Sequence, residues 1–215
     1  MTITIREPGS ALTHFAASVL VAFGAYPLLI KAAGRSGMAL AAMAVFAASL
    51  LLLYGASTLY HTVNLAGRAL KIFKKIDHMM IFVMIAGSYT PVALCVLPRE
   101  TGLPLLITVW GVALSGMIFK LIWVTCPKWI SSSVYIALGW ACIPVTGLLW
   151  DMLSLPAFLW LLAGGLIYTA GGVVYALKLR AFNERHPRFG SHEIFHLFVM
   201  AGSLCHFIFM FRYVI

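Results

Sequence analysis

Seven stretches of about 20 apolar residues each, joined by short polar connections, make up nearly all of this 215-residue sequence. In lipid the backbone has no water to bond to, so a run of that length crosses the hydrocarbon core as a helix that satisfies its own amides. The runs are Leu12 to Ile30, Met38 to Tyr60 or His61, Ile76 to Leu97, Leu103 to Trp123, Ser132 to Trp150, Leu155 to Leu177, and His192 or Ile194 to Val214. The expected fold is all-α, a seven-transmembrane helix bundle that forms a single integral-membrane domain over residues 1–215. Composition agrees: 62% of residues are hydrophobic and 10% charged, and a mean hydropathy of +0.99 excludes a soluble enzyme.

The formal charge of +9, from 15 basic and 6 acidic residues, would suggest a nucleic-acid partner in a soluble chain. Here it follows the connections, and no nucleic acid is expected. Arg6, Arg68, Lys71, Lys74, Lys75, Lys120, Lys128, Lys178, Arg180, Arg185 and Arg188 fall on one side, eleven in all, against four, Lys31, Arg35, Arg99 and Arg212, on the other. The excess marks the cytoplasmic face, so the amino terminus is expected to be cytoplasmic and the carboxyl terminus external. A cleaved signal peptide is the rival reading of the first run, but only Arg6 precedes it as a basic residue, and a retained helix is expected. Pro27, Pro91 and Pro144 should kink or end helices, Gly164, Gly165, Gly171 and Gly172 should allow close packing, and the four cysteines show no disulfide or metal spacing.

Ionisable groups inside membrane spans are costly, so their positions carry information. The second run ends in Ser57-Thr58-Leu59-Tyr60-His61, the third opens on Asp77-His78, and the seventh opens on Ser191-His192-Glu193-Ile194-Phe195-His196. All three places fall at the same end of the bundle. His192 and His196 are one helical turn apart on one face, the spacing that lets two imidazoles share an ion, and His61 can supply a third. Three neutral imidazoles with a fourth position for water are the pattern of a catalytic Zn2+ site, with Asp77 placed to orient or deprotonate that water and Ser57 to hydrogen-bond it or an oxyanion. Each residue also has a plainer use: a histidine as interhelical glue, Asp77 as an ion-pair partner of Lys74 or Lys75, Ser57 bonded to the Leu53 carbonyl. His206 is too deep for the same ion and should bond another helix, His14 and His186 should face solvent or headgroups, and His78 takes no metal role.

His192-Glu193-Ile194-Phe195-His196 also fits H-E-x-x-H, which makes an intramembrane metalloprotease a rival, with Glu193 as general base and Asp77 as third ligand. The segments around Ser57-x3-His61, Asp77 through Pro91, and Ser191-His192-x3-His196 through His206 resemble those of the haemolysin III family, within the wider progestin and adiponectin receptor family and its alkaline ceramidase-like superfamily. The resemblance implies zinc held by His61, His192 and His196, with Asp77 and Ser57 engaging zinc-bound water at the cytoplasmic side. Some relatives carry a glutamine where Glu193 stands, which weakens the protease case. It further implies a bacterial inner membrane location and, with only about eleven residues before the first span, no domain for a protein hormone. The leading expectation is therefore a zinc-dependent hydrolase of a lipid amide or ester, with membrane lipids as partners and no protein partner identifiable. The alternatives are a non-enzymatic receptor or regulator with structural zinc, and a pore-forming haemolysin, although no span carries regularly spaced polar residues to line a pore.

Overall fold

Local sequence sets where each helix begins and ends. Ser36 accepts the Ala39 N–H through its Oγ at 3.1 Å and starts the second helix, while prolines occupy the first turns of the first and of the helix at Leu155. In the computed structural model, which describes residues 4–187 and 189–215, the helices are α1 (Pro8–Ala33), α2 (Gly37–Thr62), α3 (Gly67–Pro91), α4 (Arg99–Ile122), α5 (Lys128–Gly139), α6 (Thr146–Met152), α7 (Leu155–Leu177), α8 (Arg180–Arg185) and α9 (Ser191–Phe209). Wider π-type turns extend α3 through Val96 and α9 through Val214. The chain is an all-α bundle with seven membrane-spanning helices, α5 and α6 together making the fifth span and α8 being a short connection.

The three prolines behave differently. Pro27 sits inside α1 without ending it, whereas α3 passes into its π-type turn directly after Pro91. Pro144 belongs to a short 3-10 turn, Ile143–Val145, that separates α5 from α6, so the expected single helix from Ser132 to Trp150 is broken at mid-depth. A proline lacks an N–H and crowds the preceding turn, which frees carbonyls that must find other partners in the membrane. Tyr89 of α3 repairs the break: its hydroxyl donates to the Gly139 carbonyl at 2.7 Å and accepts the Cys142 N–H at 3.1 Å.

The surface is apolar and the polar side chains are inside. Phe23 and Ile122 are each 77% exposed, while Ser10, His14, Ser57, His61, Asp77 and His78 are buried. Lipid solvates the first group, and interhelical contacts take the second. Lys120, expected among the loop charges, is 1% exposed at the end of α4 and donates to Ser131 at 2.5 Å and to the Cys126 thiol at 3.1 Å. Glycines set the closest crossings: a Cβ on Gly116 would overlap the Phe82 ring, and one on Gly164 the His206 ring. α1 packs on α2 and α9, α2 on α3, α3 on α4, and α7 on both α9 and α5. The starts of α1, α3 and α9 thereby meet the end of α2 at one end of the bundle.

Candidate metal centre

At that end, His61 from the last turn of α2 meets His192 and His196 from the first turns of α9, and one nitrogen of each lies within 4.8 Å of the other two. His61 Nε2 and His192 Nε2 are 3.3 Å apart. Nitrogens that share one tetrahedral ion at about 2.0–2.1 Å are separated by roughly 3.3–3.4 Å, so the spacing fits a common ion.

Neighbouring groups fix which nitrogen of each ring is free. The His61 Nδ1–H donates to the Glu7 carboxylate. Thr13 gives its own hydroxyl hydrogen to the Ser10 carbonyl at 2.9 Å, so it accepts from the Nδ1–H of His196 at 3.0 Å. Both rings then turn an acceptor Nε2 inward, the tautomer a metal ligand requires, and carboxylate and hydroxyl partners of this kind raise ligand basicity. His192 Nδ1 is buried without a protein partner, and its Nε2 is the atom that faces His61. The buried cluster of His61, His192 and His196 is therefore capable of coordinating a metal ion.

Glu7 is held in place by the short segment before α1. Its N–H donates to the His61 carbonyl at 3.0 Å, and Arg6 donates to the Tyr60 carbonyl at 2.7 Å while its guanidinium lies 4.2 Å from the centre of the Tyr60 ring. The hydrogen bond from His61 holds the Glu7 carboxyl below the usual carboxylate range, against an opposing effect of partial burial. Replacing an outer partner of a ligating histidine weakens metal binding by about 10–100-fold, and that loss is expected for Glu7→Gln, measured by competition with a chromophoric chelator. Unchanged affinity would show that Glu7 does not support the centre.

Asp77 opens toward the same space from α3, buried, with His61 and Ser57 as close neighbours, and both it and Ser57 line the cavity that His192 and His196 border. The alternative pairing with Lys74 or Lys75 is not formed: the ion pairs among the described residues are those of Glu7 with Arg6 and His61. Glu193 has its carboxylate committed elsewhere. One oxygen accepts from Ser10 Oγ at 2.5 Å and the other from the Gly190 N–H at 2.8 Å, so it caps α9 and ties it to α1. His206 makes the interhelical bond expected of it, its Nε2 lying 3.3 Å from the Leu161 carbonyl of α7.

His14 differs from its expected exposed position. It is 3% exposed, its ring stacked on that of His196 with 3.6 Å between centroids and 8° between planes. The cause is the packing of α1 into the groove between α2 and α9, which turns the face bearing Ser10, Thr13 and His14 inward. A polar patch at i, i+3 and i+4 in the first turns of an otherwise apolar helix is the signal that could have placed these residues at the centre.

Fold and site together define an integral membrane protein with a metal-competent imidazole trio buried at one end of a seven-helix bundle. Residues 3–207 match the family model described as Haemolysin-III related. The chain is 36% identical over 207 residues to the Hemolysin-3 homolog of Bacillus subtilis (strain 168), an alignment covering 95% of this chain and 92% of that one. It is also 35% identical over 218 residues to Hemolysin-3 of Bacillus cereus, covering 100% of this chain and 95% of that protein. The chain belongs to the haemolysin III family.

Proposed function

We propose that this protein is a zinc-dependent hydrolase of a lipid amide or ester, seated in a bacterial inner membrane with its amino terminus and its histidine centre on the cytoplasmic side. One observation carries the reading: His192 and His196 stand in the wall of a cavity of about 130 Å³ that Asp77 and Ser57 also line, with a nitrogen of His61 within 4.8 Å of theirs. Structural zinc sites close themselves with four protein ligands, whereas catalytic ones hold three and face a space a substrate can enter. Among the described residues the cluster has three. The excess of basic residues at the centre's end supports the orientation, and the likeness to alkaline ceramidases noted above supports a lipid amide.

A divalent cation held by His61, His192 and His196 would supply Lewis acidity, polarising the scissile carbonyl. The chain's own groups would do the rest. Asp77 accepts the proton of the attacking water on its carboxylate and returns it to the leaving amine or alkoxide, and Ser57 donates a hydrogen bond to the developing oxyanion. Glu7 and Thr13 hold the ligand tautomers. Leu53, Ile81, Met84, Ile85 and Val199 line the deeper cavity, and a second cavity of about 90 Å³ adjoins it at Ser88, Tyr89, Trp140 and His206, giving an apolar path suited to an acyl chain.

The test is a panel of acyl amides and esters given to the detergent-purified protein. Release of fatty acid from at least one member, abolished by a chelator and restored by added zinc, is the expected result. A panel uniformly inert with metal bound would contradict hydrolysis and leave the regulator with structural zinc as the better reading.

A further inference from the structure

Among the described residues, most of the buried polar side chains with an unpartnered atom gather in one place, Arg6 and Ser18 being the exceptions. His14, His78, Ser132 and His192 each have a buried side-chain nitrogen or oxygen with no hydrogen-bond partner, and all four line the large cavity. Burying such atoms without partners is unfavourable, so a group of them around one space suits a polar ligand. His14 and His192 border the metal centre. His78 and Ser132 do not, and nothing in the reaction proposed above uses them.

His78 follows Asp77 and therefore projects about 100° further round α3, away from the metal ligands. Tyr135, one turn beyond Ser132 on α5, donates to the His78 carbonyl at 3.0 Å and draws α5 against α3. Both His78 and Ser132 are more than nine-tenths buried. Cationic side chains of three helices act on His78: Lys120 of α4, Lys74 of α3 and Lys128 of α5. Lys120 is occupied by Ser131 and Cys126. Lys128 is half-buried and sits 4.4 Å over the ring of Tyr175, itself a cavity residue, so its ammonium stands near the rim. An imidazole N–H, a hydroxyl and an ammonium from α3 and α5 make a donor set matched to an oxyanion with three free oxygens.

We propose that His78 and Ser132, with Lys128 at the rim, form a second subsite that binds the phosphate headgroup of an anionic lipid whose acyl chain lies in the apolar depth. This rests on the reading of the cavity as a lipid site. The substrate class narrows accordingly from acyl lipids in general to phosphate-bearing ones.

The test compares lysophosphatidic acid with the monoacylglycerol of the same chain, titrated against the full-length protein in neutral detergent and read by intrinsic tryptophan fluorescence, since Trp140 lines the cavity. The phosphate lipid is expected to bind at least about tenfold more tightly, the scale of one charge-assisted hydrogen bond. Ser132→Ala, His78→Phe and Lys128→Gln should each shrink that preference, with bound metal unchanged, and His78→Gln, which keeps a donor, should recover part of it. Lys128→Gln lies at the rim and keeps the comparison decisive if a core variant misfolds. Equal binding of the two lipids, or a preference that survives all three variants, overturns the subsite while leaving the lipid cavity in place. Binding of neither lipid overturns both. Displacement of the phosphate lipid by millimolar inorganic phosphate alone would assign the site to the free anion and overturn the headgroup proposal.

Discussion

His192→Ala is expected to strip the protein of its metal. Its Nε2 faces His61 Nε2 at 3.3 Å, and removing it leaves two imidazoles where three converge. Loss of an outer partner already weakens binding by about 10–100-fold, and loss of a ligand should exceed that, so the variant should come through dialysis with little metal while wild type keeps close to one ion per chain. His61→Ala and His196→Ala should behave alike. His206→Ala is the control: it loses a bond to the Leu161 carbonyl deep in the bundle and should keep its metal. Full occupancy in folded His192→Ala would remove that residue from the centre.

Asp77→Asn separates chemistry from architecture. The substitution keeps the size and one oxygen of a side chain buried beside Ser57 and His61, but it cannot take up a proton at neutral pH. Loss of a positioned general base costs about 10²–10⁴-fold in turnover, and a loss in that range with metal retained is expected in the lipid-release assay. Glu193→Gln should retain most activity, because the amide oxygen can still accept from the Gly190 N–H while its NH2 donates to Ser10 Oγ, and the cap contributes only about 1 kcal/mol. The opposite ranking, with Glu193→Gln inert and Asp77→Asn active, would point to the metalloprotease chemistry of the H-E-x-x-H pattern.

Much of this arrangement was legible in the sequence, because two periodicities survive without tertiary information. Span length identifies the seven membrane helices, and the four-residue spacing of His192 and His196 identifies a shared face; adding His61 needed only the inference that the second and seventh spans bring these groups to one end. What stayed hidden came from packing. Glu7 lies outside any apolar run and reaches His61 only because the segment before α1 clips onto the end of α2. His14 looks like an interfacial histidine until α1 is seen to turn that face toward α9. Lys120 counts as a loop charge by position, yet it closes a buried contact with Cys126 and Ser131 that no local pattern announces. The break in the fifth span was foreshadowed by Pro144, but not its repair by Tyr89 from another helix.

X-ray absorption at the zinc edge of the purified protein tests the shared ion most directly. The account predicts one zinc per chain with an imidazole-dominated shell at about 2.0–2.1 Å and no sulfur neighbour. A protein that takes up no zinc, or one whose zinc shows sulfur at about 2.3 Å, would contradict a centre built from His61, His192 and His196.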